Sequence, residues 1–280
     1  MAVLQHRVVS DYTSFQPMFD PHDVSRWKVG ENGLIQRDTR LAYEPGLSGH
    51  TDTVIEQAQR DLNTNPELSN AVLFEDWLPF AAKAYHINPD PNAYLFRPVL
   101  AILTDLPNRN GVGFPVSELV KWNPHRGRQA YQTWIGMPMH SEHGNWHPNP
   151  DDPDPKLAIG VIADVVMTAL VGFGQNKLWK VVMLAAIDRT KDVARAKRIE
   201  TGELNTYSMG AMVGGYTCSY CGKLVGKGCN HIDPDQPVVL YRIGDHLVYR
   251  LCYDVSGMEL SSVGDPAYGV AASDIAHIRY

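Results

Sequence analysis

Three cysteines and one histidine, Cys218, Cys221, Cys229 and His231, lie within fourteen residues of this 280-residue chain and constrain its local fold strongly. The two-residue gap between Cys218 and Cys221 lets one turn present both thiolates, and structural zinc takes four sulfur or nitrogen ligands in a tetrahedron. Three glycines between Cys221 and Cys229 suit a tight loop folded over an ion. The spacing therefore predicts a structural zinc site, since four protein ligands leave no position open for a substrate. The alternative is a pair of buried free thiols.

Composition bears on the setting of this site. A net charge of −6 and a pI near 6.0 weigh against a dedicated nucleic-acid-binding protein, which usually carries a basic excess. No apolar run reaches the roughly 18 residues that a membrane span needs. The first residues lack the layout of a signal peptide, so we expect a cytoplasmic, reducing setting, in which cysteines bind metals more often than they form disulfides. The fourth cysteine, Cys252, stands apart from the others and is predicted to be a core residue.

Ser208 lies in a segment, residues 204–213, whose alternating apolar and polar residues predict a strand. A serine hydroxyl is a poor nucleophile unless a base takes its proton, and histidine is the usual base. His140 and His143 follow a predicted strand at residues 131–139 and enter a loop, where catalytic groups tend to lie. Without such a partner, Ser208 is an ordinary strand hydroxyl.

The remaining pattern predicts a mixture of strands and a few helices. Apolar runs predict strands at residues 94–104, 157–170, 178–187, 238–243 and 247–255. Helices are predicted at residues 51–62, at residues 70–85 with a break at Pro79, from Pro115 to Trp122, and from a Thr190 cap through Glu200 to a left-handed stop at Gly202. The proline-rich and aspartate-rich residues 148–155 predict a surface loop.

A second group of residues, made of histidines and aspartates, is a weaker candidate for a metal site. Its members are His140, His143, His147, Asp151, Asp152 and Asp154. Their spacing matches no established ligand pattern, and a solvated turn explains the aspartates equally well.

Five segments between residues 92 and 272 together resemble a known family. They are residues 106–115, 135–143 with 158–162, 186–210, 218–232 and 259–267. In this order they resemble the prohead core proteases of tailed bacteriophages, which are serine proteases related to the herpesvirus capsid assembly proteases. The serine and cysteine segments are the specific part of this resemblance, and the 106–115 loop alone is weak.

The resemblance implies an α+β fold with a β-barrel-like antiparallel core flanked by helices. It implies a serine protease-like domain at residues 91–280 that carries a small zinc-binding insert at residues 217–233. Residues 1–90 form an N-terminal extension that the resemblance does not cover.

The activity that the resemblance implies is a serine endopeptidase that cleaves scaffold and capsid proteins, and its own chain, inside the immature head. Ser208 is the expected nucleophile and His143 the preferred general base, with His140 as the alternative. Glu259 is the expected third member, with Asp188 as the second choice.

The implied partners are the phage capsid and scaffold proteins, with the portal protein as a further candidate. The resemblance also implies that the chain forms a homo-oligomer or associates with the assembling shell. The implied location is the host cytoplasm, within the prohead or virion. The unmatched N-terminal residues and the long 148–155 loop leave a second interpretation open. In it, the chain is a non-catalytic structural virion protein that kept the protease fold and the zinc site.

Overall fold

The computed structural model describes residues 8–9, 74–124, 126–141, 157–170, 178–237 and 240–264. The predicted helix at residues 51–62 and the predicted loop at residues 148–155 lie outside these ranges.

Strands dominate the described part of the chain. They are β1 (Val8–Val9), β2 (Tyr94–Leu103), β3 (Val112–Gly113), β4 (Trp122–Asn123), β5 (Arg128–Gln129), β6 (Pro138–His140), β7 (Ala158–Leu170), β8 (Leu178–Asp188), β9 (Tyr207–Met212), β10 (Gly215–Cys218), β11 (Tyr241–Ile243), β12 (His246–Val248), β13 (Arg250–Tyr253) and β14 (Ser256–Ser262). The described helices are α1 (Phe74–Tyr85), α2 (Val116–Leu119) and α3 (Val193–Glu200), with 3₁₀ turns at Pro91–Ala93 and Ala130–Trp134.

Seven strands form the main sheet, in the order β1-β9-β14-β6-β7-β8-β2. Most neighbours are antiparallel, but β1 pairs with β9 and β6 pairs with β14 in parallel. Strand β2, at one edge, also contacts β9, next to the other edge. The sheet therefore curls into a half-barrel, and the fold is mixed α+β with few helices.

The two longest strands, β7 and β8, confirm the strands predicted at residues 157–170 and 178–187. They pair along almost their whole length, and β8 pairs with β2 on its other side. Val181, Met183 and Ala185 on β8 are fully buried. Their spacing of two places them on one face, as the pleat of a strand requires.

Apolar side chains are buried on both faces of this sheet. The main hydrophobic core lies on one face and includes Phe114, Trp134 and Met139. A second cluster packs α1 against β7 and β8. The hydroxyl of Tyr85, at the end of α1, donates to the Gly136 carbonyl at 2.9 Å and ties the helix to the segment before β6.

The predicted break at Pro79 is wrong, because α1 runs through this proline. A proline inside a helix removes one backbone hydrogen bond and usually kinks or ends the helix. Here Trp77 and Leu78, just before the proline, are almost fully buried in the second cluster. We attribute the continuity to this packing, which holds the first half of α1 against the sheet.

The predicted strand at residues 131–139 is wrong over most of its length. Ala130–Trp134 is a 3₁₀ turn, and only Pro138–His140 forms a strand. The turn is capped at its start, where the Gln132 side chain accepts a hydrogen bond from the Gln129 backbone. Local capping and burial of Trp134 thus override the strand pattern of the apolar residues.

Helix α3 begins two residues later than the sequence predicts. Its N-cap is Asp192, whose carboxylate accepts from the Arg195 backbone, and Thr190 instead donates to Asp188. The predicted stop is confirmed, since Gly202 has a φ of +77°, in the left-handed region that favours glycine.

The division of the chain at residue 90 stays a prediction. Helix α1, which precedes this position, packs on the same sheet as the residues that follow it. None of the helices in the described ranges has the length and apolar character needed to cross a bilayer.

Candidate active site and metal centre

Three neighbouring strands of the main sheet bring Ser208, Ser261 and His140 side by side. Ser208 on β9 lies opposite Ser261 on β14, and Ser261 lies opposite His140 on β6. Neighbouring strands are about 4.8 Å apart, so the three Cα atoms span about 10 Å. We call Ser208, Ser261 and His140 the serine–histidine row.

The side chains of the serine–histidine row share one face of the sheet. Their immediate neighbours Met209, Leu260 and Met139 are all buried in the main core on the other face. Successive side chains of a strand point to opposite faces, so the row points away from the main core. Side chains directly opposite on adjacent strands are the pairs that interact most closely.

Glu259 lies on the same face as the row, two residues before Ser261 on β14. The Ser261 hydroxyl donates a short hydrogen bond to Oε2 of Glu259. A Cβ atom placed on Gly210, which faces Glu259 from β9, would lie 2.8 Å from Cγ and 2.9 Å from Oε1 of Glu259. The glycine therefore leaves room for the Glu259 side chain to extend over β9.

All four of these side chains are buried. Ser208 is 3% exposed, and Ser261, His140 and Glu259 are 0% exposed. A buried carboxylate needs hydrogen-bond donors to offset the loss of water. Ser261 supplies one such donor to Glu259.

Arg195 on α3 holds the ends of the two strands that carry His140 and Ser261. Its Nη1 atom donates to the Ser141 carbonyl at 2.8 Å and lies 3.4 Å from the Ser262 carbonyl. Both carbonyls directly follow members of the serine–histidine row. The guanidinium thus links β6 and β14 at the position where the row lies.

Asp188, the second choice for the third member, is at the end of β8, two strands away from β6. Its Oδ2 atom accepts from the Asn88 backbone at 2.7 Å. Its Oδ1 atom accepts from both the backbone and the hydroxyl of Thr190. These bonds fix the turn between β8 and α3, and they occupy both oxygens of the Asp188 carboxylate.

His143, the preferred base from the sequence, lies outside the described residues, as do His147 and the three aspartates of the second metal candidate. Of that group, the structure describes only His140.

The four predicted zinc ligands come together in the structure. The ligand atoms of Cys218, Cys221, Cys229 and His231, here called the Cys3His cluster, all lie within 4.8 Å of one another. The His231 Nδ1 atom is 4.0 Å from the Cys218 sulfur and 3.9 Å from the Cys229 sulfur. Tetrahedral zinc with ordinary bond lengths has sulfur–nitrogen edges of about 3.6 Å, so a small contraction would fit the ion.

Backbone turns hold the cluster. The Gly222 N–H donates to the Cys218 carbonyl and the Cys218 N–H donates to the Lys223 carbonyl, both at 2.9 Å. Gly222 has a φ of +68°, a conformation that a residue with a Cβ rarely adopts. The chain therefore turns back sharply over Cys218 to Gly222, directly after the second cysteine, which brings both thiols to one side.

The cluster sits on a small core of its own. Cys218, Ile232 and Val248 are its buried members. Arg250 closes this unit, because Nη2 donates to the carbonyls of Asp233, Pro234 and Gln236 at 2.8 to 3.1 Å. Few apolar side chains are buried here, as is typical of small units that depend on a metal.

The thiols of the cluster differ in acidity. Burial raises the pKa of the Cys218 thiol. At Cys229 burial acts in the same direction, but hydrogen bonds from the backbone of His231 and Ile232 and from neighbouring thiols outweigh it and lower the pKa. The thiolate is the form that binds metal, so Cys229 is predisposed to ligation.

Cys252 lies in β13, away from the cluster, and is 1% exposed within the main core. This burial confirms the prediction that Cys252 is a core residue. Burial raises the pKa of this thiol well above its ordinary value, so Cys252 is protonated at neutral pH.

The metal unit interrupts the pair of strands that carries the candidate active site. Strand β9 continues almost directly into β10, which ends at Cys218. The chain returns through β13, which pairs with β10, and then enters β14 beside β9. The Cys3His cluster thus lies within the loop that joins Ser208 to Glu259 and Ser261.

Compared with known proteins, the chain matches no family model, no curated protein and no solved structure.

Two residues of the site were not predicted from the sequence. Ser261 could have been found from Glu259, because residues two apart on a strand share a face. Arg195 gave no comparable signal, since it belongs to a run of alternating basic and acidic residues typical of an exposed helix.

Proposed function

We propose that this chain is a serine endopeptidase with Ser208 as nucleophile, His140 as general base and Glu259 as the carboxylate that orients the base. The observation that supports this most is the strand register, which aligns Ser208, Ser261 and His140 on one face with Glu259. Acyl transfer by serine requires a nucleophile, a base and an orienting group, and these are the residue types that share this face of the sheet.

In this proposal the imidazole of His140 takes the Ser208 proton as the hydroxyl attacks the scissile carbonyl. The ring then gives the proton to the leaving amine. The Glu259 carboxylate stabilises the imidazolium that forms between these steps. His143, which lies outside the described residues, remains the alternative base.

His140 is named as the base because it is the one of the two histidines that the structure describes. His140 lies directly opposite Ser261 in the sheet. Ser261 in turn lies opposite Ser208, so His140 is on the second strand from Ser208. His143 follows three residues later in the chain.

The sequence resemblance supports a setting in prohead maturation. On this basis the half-barrel sheet belongs to the β-barrel of the prohead core proteases, and the substrates are scaffold and capsid proteins of the immature head. Cleavage of its own chain is the one of these reactions that can be assayed without an identified substrate protein.

Zinc is the ion that we propose for the Cys3His cluster. Three sulfurs and one imidazole nitrogen at near-tetrahedral edge distances are a donor set that zinc prefers. With four protein ligands the ion is structural. It would stabilise the loop between β9 and β14. Because this loop joins the strands that carry Ser208 and Glu259, the ion would also help to fix the position of Ser208 relative to Glu259.

Autocleavage tests the catalytic proposal. The wild-type chain is incubated at high concentration, alone and with its capsid and scaffold proteins, and the fragments are identified by mass spectrometry. Ser208→Ala should lower the cleavage rate by about 10² to 10⁴, the range that a nucleophile–base pair supplies. The matched control is Ser256→Ala, which removes another 3%-exposed hydroxyl from the same sheet.

The proposal fails if Ser208→Ala cleaves as fast as the wild-type chain while both melt at the same temperature. Equal melting temperatures establish that a loss of cleavage reflects chemistry and not unfolding.

The near-complete burial of the serine–histidine row favours a second function, that of a structural virion protein with the same fold and metal unit. A buried hydroxyl does not meet a protein substrate without an opening of the surrounding chain. This second function predicts a fixed number of chains in finished particles and no cleavage by the wild-type protein.

A further inference from the structure

Arg195 contacts the two strand ends that directly follow His140 and Ser261. Strands β6 and β14 are parallel, and their pairing ends at the pair formed by Ser261 and His140. The Nη1 atom of Arg195 donates to the Ser141 carbonyl at 2.8 Å, and it lies 3.4 Å from the carbonyl and 3.3 Å from the hydroxyl oxygen of Ser262. One cationic nitrogen thus continues the link between the two strands where their backbone pairing stops.

The helix that carries Arg195 is itself fixed against the sheet. Ala196 and Ile199 on α3 are buried in the main core. The carboxylate of Asp192 orients Arg195, because one oxygen accepts from the Arg195 backbone at 3.0 Å and the other lies 3.7 Å from Nε. The guanidinium therefore extends from a fixed element and is directed by a second charged group, which is the support that a functional site needs.

The contact with Ser141 bears on the position of the candidate base. The Arg195 side chain is only 18% exposed, and hydrogen bonds from a charged donor are roughly twice as strong as neutral ones. Ser141 directly follows His140, so a donor that holds the Ser141 carbonyl restricts where the His140 backbone lies. The same peptide begins the segment that leads to His143, so the contact is relevant to either candidate base.

The contact with Ser262 extends this link toward the nucleophile. Ser262 is fully buried and lies opposite Tyr207 on β9, the residue before Ser208. The strand that carries the candidate base is thus tied by Arg195 to the strand that pairs directly with the strand of the candidate nucleophile.

We propose that Arg195 is a positioning residue, which fixes the general base relative to Ser208 through the Ser141 and Ser262 peptides. Without the guanidinium, the chain after His140 loses a charged donor and moves relative to β14. This inference rests on the proposed function for its catalytic consequence, but the effect of Arg195 on the position of His140 does not depend on it.

The catalytic consequence is tested with a fluorophosphonate probe, which reacts with an activated serine. Arg195→Met removes the donor and should lower the maximal rate of labelling by about tenfold to hundredfold, the loss expected when a catalytic group is misplaced. The probe concentration that gives half of this rate should stay near its wild-type value, since the variant changes the base and not the probe site. The matched control is Arg198→Met, which breaks the exposed pair with Glu203 on the same helix and should label at the wild-type rate.

A purely structural role for Arg195 predicts a different result. The rates are measured well below the melting temperature of each variant, so that folded protein is compared with folded protein. If Arg195 only stabilises the fold, Arg195→Met melts earlier but labels at the wild-type rate, and this outcome would overturn the proposal.

Arg195→Lys provides a conservative variant. The contacts to Ser141 and Ser262 all come from one nitrogen, and an ammonium group has three N–H donors. The lysine variant should therefore recover much of the rate that the methionine variant loses. A lysine variant as slow as the methionine variant would also overturn the proposal.

A measurement that needs no activity separates this inference from the proposed function. The ring C–H resonances of His140, assigned as those absent from His140→Gln, report the surroundings of the ring. They should shift in Arg195→Met and keep their wild-type values in Arg198→Met. Unchanged resonances in Arg195→Met would refute the positioning role, whether or not the probe labels the protein.

If Arg195→Met does not fold, Arg195→Gln takes its place with the same expected changes, because its amide carries no charge and its side chain is shorter. Wild-type protein that resists the probe, with His140 resonances that shift as expected in the variant, refutes the proposed function alone.

Discussion

Gly210→Ala provides a test of how Glu259 is held. The added Cβ would lie 2.8 Å from the Glu259 Cγ, 2.9 Å from its Oε1 and 3.1 Å from the Met258 Cε. Ordinary van der Waals contact begins at 3.4 Å, so the first two contacts are too close by about half an ångström. Glu259 cannot move freely, because it is fully buried and bound by Ser261.

The expected cost follows from these contacts. Overpacking of a buried site typically destabilises a protein by about 1–3 kcal/mol. For a domain of this size each kcal/mol lowers Tm by about 2–4 °C, so Tm should fall by roughly 2–12 °C. Because the methyl group pushes the carboxylate away from its position, labelling by a fluorophosphonate should also fall by at least about tenfold.

Thermal unfolding measures the first effect, and the labelling rate measures the second. The matched control is Gly264→Ala, since a Cβ at Gly264 meets no atom of the described residues within 4 Å and should leave both quantities unchanged. A Gly210→Ala protein that melts and labels like the wild type would refute the placement of Glu259 over β9, and with it the role assigned to this carboxylate.

Three further predictions concern the metal unit, the strand ends and the buried thiol. Elemental analysis should find one zinc per chain, and Cys221→Ser or chelation should remove it and expose the amides of β10 and β13 to hydrogen exchange, while Cys252→Ala keeps the ion; an equally protected metal-free protein would contradict this. Arg195→Met removes charged hydrogen bonds to the Ser141 and Ser262 carbonyls and should destabilise the protein by about 1.5–3 kcal/mol in urea unfolding, whereas Arg198→Ala, which breaks the exposed pair with Glu203, should cost roughly 0–1 kcal/mol. After zinc removal at pH 8.5, iodoacetamide should modify the three cysteines of the cluster but not Cys252, because burial raises the pKa of that thiol and keeps it protonated; rapid alkylation of Cys252 in the folded protein would contradict its burial.

The sequence predicted the parts of the fold that depend on local pattern. The long apolar runs gave β2, β7 and β8, since a buried strand needs little beyond a continuous apolar segment. The Cys3His cluster was predicted from ligand spacing alone, because the turn at Gly222 is local.

What the sequence did not predict depends on contacts between distant segments. The path of α1 through Pro79 is explained by its packing on β7 and β8, and the turn at Ala130–Trp134 by capping and burial. Ser261 gains its place from the register of β14 against two other strands, which no single segment encodes. Strands of two or three residues, such as β3 and β6, are too short to give a period.

The most direct test of the central claim is the identity of the residue that a fluorophosphonate modifies in the wild-type protein, mapped by peptide mass spectrometry. The account predicts one label per chain, on Ser208, which Ser208→Ala abolishes and Ser256→Ala preserves. A protein that takes up no label, or takes it up equally after Ser208→Ala, would contradict the account.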